Sequence, residues 1–227
     1  MQARLVSLLP FTMNCEIHSC LLLSFVPVGE DSQAFMCSLI SVPLISAHKP
    51  RPNKPLATPT KLYYIQGDGN CFFRSMSYAI TGRQIYHHII REKIVNHMRI
   101  IEPYLKPHIN GSLVSYLEQS KMVHDSTWVT DIKKCAAASL LDTDIYVYTK
   151  VNSAYKWNKF SKTILDGSLP KNNCAIYINH TNGVRYDIVE DVSLNLQQGT
   201  KKNQMLSTFV RNQKRWLLVI MTKLDFQ

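Results

Sequence analysis

The sequence predicts an α+β domain, because helical periodicity fills the stretch from residue 71 to 141 and strand-like runs follow it up to residue 190. Turn residues punctuate the change between the two patterns. With 227 residues, 45% of them hydrophobic and 19% charged, the chain is long enough for one domain of ordinary size plus extensions, and its core needs no covalent staples.

Asp68 to Asn70 is turn chemistry, and Cys71 to Thr81 follows as a helix with Phe72, Met76 and Ala79 or Ile80 on one face and Gly82 as its stop. A second helix is expected from Gln84 to about Ile101, with Ile85, Ile89, Ile94 and Met98 at helical intervals before Pro103. A third is expected from Leu113 to Lys121. Thr130 reads as the N-cap of Asp131 to Leu141, whose Cys135-Ala136-Ala137-Ala138 centre is small enough to lie close against a sheet. Ile145 to Tyr148, Tyr155 to Phe160 and Ala175 to Ile178 are β-branched and aromatic, as strands require. His180-Thr181-Asn182-Gly183 supplies a tight turn, and Val184 to Glu190 returns as the partner of a hairpin.

Residues 1 to 47 contain Arg4 as their only Lys or Arg, and then His48-Lys49-Pro50-Arg51-Pro52-Asn53-Lys54-Pro55 shifts to a proline-spaced basic segment. Such prolines favour an extended, semi-rigid chain. The expected division is therefore an N-terminal extension and linker over residues 1–57, dispensable for the chemistry, a domain over 58–192 and a basic tail over 193–227. The tail sets Lys201, Lys202, Arg211, Lys214, Arg215 and Lys223 around the apolar run Trp216 to Met221, a pattern read as ordinary packing or disorder rather than a membrane-surface element.

The net charge of +10 is spread along the chain, without the basic and aromatic clustering of a nucleic-acid module, so nucleic acid is not the expected partner. Six cysteines without a CxxC pair argue against a disulfide scaffold and for a reducing compartment, cytoplasmic or nuclear. Cys15, His18, Cys20 and Cys37 match no paired zinc spacing. Leu5 to Leu9 and Leu21 to Val28 are too short and interrupted for a clean targeting segment, and no run approaches the roughly 20 apolar residues of a membrane span.

Gly67-Asp68-Gly69-Asn70-Cys71-Phe72-Phe73-Arg74-Ser75 is where chemistry concentrates. A cysteine attacks a carbonyl as its thiolate, so it needs a lowered pKa and donors placed for the oxyanion. Cys71 at a helix start meets unpaired amides and the favourable end of the dipole. Gly67 and Gly69 permit a loop whose amides turn inward, making Asp68, Gly69, Asn70 and Cys71 a candidate oxyanion cradle.

These residues resemble the nucleophile motif of the ovarian-tumour (OTU) family of ubiquitin-directed cysteine peptidases, which has an Asp three residues before the Cys and an aromatic or aliphatic pair, then Arg and Ser, after it. The resemblance continues through Trp128, Asp131-Ile132, the alanine cluster, Ile145 to Tyr148 and the closing Tyr186-Asp187, about residues 60 to 190 in all. It implies a papain-like OTU fold, with helices packed on a small mainly antiparallel sheet. It implies also a thiol isopeptidase acting as a monomer on ubiquitin or ubiquitin-like conjugates, with Cys71 as nucleophile, Asp68 helping to form the oxyanion hole, and no metal or cofactor.

One position departs from the family pattern. The family's general base is a histidine just before the aromatic residue of the last strand, and here that place is Arg185, with Asp187 two residues on in the place of the orienting acid or amide. Guanidinium offers only donors and stays charged, so Arg185 cannot accept the thiol proton. His180 across the turn is the candidate substitute base, with His124 as a second. Without either, the expectation is a ubiquitin-binding relative that is catalytically impaired, in which Asp187 is the salt-bridge partner of Arg185.

Overall fold

The computed structural model describes residues 23–122 and 124–194. Two short strands, β1 (Ser24–Phe25) and β2 (Lys54–Pro55), pair with each other and enclose α1 (Glu30–Ile40). β3 (Pro59–Tyr63) then leads into α2 (Cys71–Thr81), α3 (His87–Ile100), α4 (Glu102–Leu105), α5 (Leu113–Gln119) and α6 (Asp131–Leu141). The hairpin β4 (Asp144–Val151) and β5 (Ala154–Phe160) follows, then α7 (Thr163–Asp166), β6 (Ala175–Thr181) and β7 (Arg185–Val192). The predicted α+β class holds.

The larger sheet has the order β3-β7-β6-β4-β5. β4 and β6 are parallel, and the other three neighbouring pairs are antiparallel. Asn182 and Gly183, both at positive φ, make the tight β6–β7 turn. β3, which the sequence does not announce, pairs with β7 through an irregular register.

α2 and α6 cover one face of this sheet, and α3 packs on both of them. Phe72, Phe73, Met76 and Ile80 of α2 meet Tyr186 and Ile188 of β7, and Cys135 to Ala138 of α6 are wholly buried, as their small size allows. Gly82 ends α2 at φ 76, the left-handed conformation that a helix stop of this kind demands. Thr130 occupies the N-cap position of α6, but its hydroxyl pairs with that of Tyr116 instead of capping the helix.

Two expectations need correction. The second helix starts at His87, not Gln84: the Gln84 side chain instead accepts from Gln66 N and donates to Tyr64 O, while Ile85 is exposed and Ile90, Ile94, Val95 and Met98 form the buried stripe. More consequential is the segment before residue 58. Met36, Cys37 and Ile40 of α1 belong to the same core as Phe72 and Met76, and Phe25 and Ala57 cover the opposite sheet face with Tyr146, Tyr177 and Val189. The basic stretch is tied down by Arg51 to Glu190 and Lys54 to Asp191. Apolar burial, which proline density does not reveal, makes residues 23–57 part of the packed body. Cys15, His18, Cys20, the Leu5 to Leu9 run and the basic residues around Trp216 to Met221 lie outside the described residues. Among the described residues no helix is long and apolar enough to cross a membrane.

Candidate active site

Cys71 opens α2, and Asn70 precedes it at the N-cap. The loop before it is held from within. One Asp68 carboxylate oxygen accepts from Asn70 N at 3.0 Å, and the other accepts from Arg74 Nε and Nη2 at 2.9 and 2.5 Å. Burial alone would raise the Asp68 pKa, but the Arg74 hydrogen bonds and charge and the Asn70 amide outweigh it and hold the carboxyl down to about 2. Gly69 has φ +78, and a Cβ there would fall 2.5 Å from Ser126 O, so glycine is required twice over. The motif's Asp, Gly and Arg are thus one brace beneath the sulfur.

Ser75 ties this helix to the last strand: its hydroxyl lies 2.8 Å from both Cys71 O and Tyr186 O. That link brings Cys71 beside β7. Cys71 is only 4% exposed, and burial pushes its thiol pKa up. The amides of Tyr186, Phe72 and Cys71 itself pull the other way, and the Asp68 charge adds to the rise. This runs against the lowered pKa expected from helix position, because desolvation exceeds what the amides return. Asn70 N–H is engaged by Asp68, so the amides that face the sulfur are those of Cys71, Phe72 and Tyr186.

Arg185 starts β7 and lies against the nucleophile loop, its Cδ where a side chain on Gly67 would touch it. The guanidinium stacks on Tyr64, 4.4 Å from the ring centre. Its Nε and Nη2 donate to the two oxygens of Asp187, each at 2.9 Å. Asp187 is 2% exposed and also accepts from Ile65 N and the Thr181 hydroxyl. Burial would raise its pKa, but these donors, Arg185 foremost, hold it below the usual carboxylate range. Asp187 is the salt-bridge partner of Arg185, and among the described residues no imidazole is hydrogen-bonded to it.

His180 is not brought to this pair. The register sets His180 opposite Tyr186 and Thr181 opposite Arg185, so His180 lies on the sheet face away from Arg185 and Asp187. Its ring stacks on Tyr186 at 4.3 Å, Nδ1 is 3.5 Å from the Thr149 hydroxyl, and burial with nearby Lys134 lowers its pKa. His124 is exposed in the connection between α5 and α6, the same connection that contacts Asn70 through Ser126. The His87 and His88 rings meet edge to face, and among the described residues no cluster of three or more His, Cys, Asp or Glu offers a metal site. Cys37, from the N-terminal cysteine group, is buried with its thiol 3.4 Å from Ile80 O.

Sequence reasoning did not assign roles to Tyr64, Gln84, Arg91 or Thr181. Tyr64, Gln84 and Arg91 act through contacts between separate segments and Thr181 acts across the β6–β7 hairpin, and no local pattern marks them.

A cysteine at a helix mouth, braced by Asp68 and Arg74 and bridged to β7, meets what a cysteine peptidase asks of its nucleophile's position. Residues 66–186 match the sequence model of the OTU-like cysteine protease family, and this chain belongs to that family. It is 24% identical over 184 residues to the ovarian tumor domain-containing deubiquitinating enzyme 9 of Arabidopsis thaliana, covering 74% of this chain and 50% of that one. The chain thus spans about half the length of that relative. Similar solved structures include the OTUD1 OTU domain (TM-score 0.49, 21% identity, 57% of this chain and 85% of that one). Another is the Hazara virus OTU bound to ubiquitin (TM-score 0.44, 16% identity, 59% and 82%). A third is an OTU deubiquitinase of Wolbachia pipientis wMel bound to ubiquitin (TM-score 0.44, 14% identity, 58% and 95%).

Proposed function

We propose that this chain is a ubiquitin-directed OTU domain that receives the C-terminal tail of ubiquitin or a ubiquitin-like modifier at Cys71 and hydrolyses the isopeptide bond poorly, because Arg185 stands where the family has its general base. The observation that carries this reading is the closed pair of Arg185 and Asp187 at the base position, beside a thiol whose pKa is raised. Hydrolysis needs the Cys71 proton to leave, the sulfur to bond to the carbonyl carbon, the C–N bond to break with a proton delivered to the departing amine, and then a water to split the thioester and return the proton to sulfur. Arg185 can do neither proton transfer, though its charge favours a thiolate once one forms. General acid-base help is typically worth ~10²–10⁴-fold, so its loss slows turnover without removing a surface that binds.

A second reading, an active thiol isopeptidase, is favoured by the intact nucleophile half of the site: Cys71, the Asp68–Arg74 brace and the Ser75 bridge. One experiment separates them. The full chain is mixed with ubiquitin carrying a C-terminal electrophile and, separately, with a fluorogenic ubiquitin C-terminal amide. A Cys71 adduct with no release of fluorophore above the Cys71→Ala variant supports the impaired reading. Steady release supports the peptidase. Neither adduct nor measurable affinity for ubiquitin overturns both.

A further inference from the structure

We infer that Arg91 is a positioning residue, which sets the amides around Cys71 by clamping Asn70 to the α5–α6 connection. This rests on the reading of Cys71 as the group that meets a carbonyl. Arg91 lies on α3, is 3% exposed, and sends its fork to three oxygens from two other segments. Nη2 donates to Asn70 Oδ1 at 2.6 Å and to Thr127 O at 3.2 Å, while Nη1 donates to Met122 O at 3.1 Å. The guanidinium carbon sits 3.9 Å from the centre of the Phe73 ring, so the plane of the fork is fixed as well.

Asn70 is the point where these contacts meet. Its side-chain oxygen accepts from Arg91 and also from Ser126 N at 3.0 Å, and its backbone N–H is held by Asp68. Ser126 O in turn closes on Gly69. An amide turned by even a small rotation at Asn70 carries Cys71 N and Phe72 N with it, since those residues follow directly in the chain. Both amides face the sulfur and help to hold its negative form.

The choice of arginine is informative. Among the described residues no carboxylate pairs with the guanidinium; Asp125 and Asp68 act on its charge without a salt bridge, and Lys133 adds repulsion. A buried charge in that state is costly unless its hydrogen bonds are needed. A planar fork with donors in fixed directions meets three separate oxygens, which a lysine ammonium cannot reproduce in the same geometry.

The test uses the full chain with Arg91→Met, Arg91→Lys, Asn70→Ala and the double variant Asn70→Ala/Arg91→Met. Two quantities are read: hydrogen exchange of the amides at 67–72 and 126–128, and the rate of Cys71 adduct formation with the ubiquitin electrophile. Faster exchange in both segments of Arg91→Met is expected, with β6 and β7 still protected. Adduct formation should fall tenfold or more, and the double variant should be no slower than the slower single one, because both substitutions break one linkage. Arg91→Lys should not rescue either quantity. If Arg91→Met fails to fold, Arg91→Lys carries the same comparison. Unchanged exchange at 67–72, rescue by lysine, or losses that multiply would each overturn the role of Arg91. If the unaltered chain forms no adduct, the reading of Cys71 fails, and the exchange data still decide whether Arg91 sets the loop.

Discussion

Arg185 and Asp187, two residues apart on one strand, hold each other through two parallel hydrogen bonds of 2.9 Å. A strand places alternate residues on one face, so a residue at 185 is always delivered beside Asp187. An imidazole in that place could donate one nitrogen to Asp187 and turn the other toward the sulfur. Arg185→His is therefore expected to raise hydrolysis of a fluorogenic ubiquitin amide by ~10²-fold or more. An unchanged rate, in a variant that still forms the Cys71 adduct, would show that the missing base is not what limits turnover.

The raised pKa of Cys71 predicts its reactivity with small reagents. Only the thiolate attacks iodoacetamide, so the rate at Cys71 should climb with pH up to and beyond the ordinary thiol value of ~8.5, without levelling near neutrality. Mass spectrometry of the Cys71 peptide separates it from the other cysteines. A plateau below pH 7 would mean that the amides and Arg185 outweigh desolvation.

α1 provides a stability test. Ile40 is fully buried in the core shared with α2, so Ile40→Ala should cost about 2–5 kcal/mol in urea unfolding. Removal of residues 1–57 should leave a chain that does not unfold cooperatively, since Met36, Cys37 and Ile40 are all lost from that core. A truncated protein with an unchanged midpoint would restore the boundary at residue 58.

These outcomes track what was legible in the residues. α2 was clear because its apolar spacing, the turn before it and Gly82 after it all agree. α6 was clear from its small-residue centre. α1 is hidden in the sequence because prolines and basic residues after it look like a linker, while its burial depends on Phe72 and Met76 far along the chain. β3 is not legible because Thr60, Lys61 and Leu62 are all exposed, so its pairing with β7 leaves no alternating pattern. The sequence places His180 in the turn, but β6 runs through Thr181, and that register sends the imidazole to Tyr186. Cysteine position was legible; the desolvation that governs its pKa was not, because it is a property of the packed state.

Asp68 should make an acid limb in the stability curve. Its pKa is lowered from 3.8 to about 2, so the unfolded chain binds the proton more readily, and the contribution present above the ordinary value is lost as pH falls through the folded value. The pair with Arg74 is partly open to solvent, so the amount is about 1 kcal/mol or less. Asp68→Asn should flatten the stability curve between the two pKa values. Identical slopes for the two proteins in that range would rule out the Arg74 brace as their source.

Lys133 presents the opposite sign. It is fully buried in α6, its Nζ has no hydrogen-bond partner among the described residues, and the nearest aromatic ring, that of Tyr116, is 5.7 Å away. Burial first, and then the Arg91 charge, lower its pKa to about 8 from 10.5. Between those values the unfolded chain holds more protons than the folded one, so this residue's penalty is complete below the lower value and fades as pH rises through the window. Methionine keeps much of the stem's apolar packing and removes the charge. Lys133→Met should therefore stabilise the protein at pH 7 by about 1–3 kcal/mol, and the gain should shrink at alkaline pH. Urea unfolding of both proteins across that range measures it. A variant less stable at pH 7, or a difference that does not change with pH, would mean that Lys133 is satisfied in a way its surroundings do not reveal.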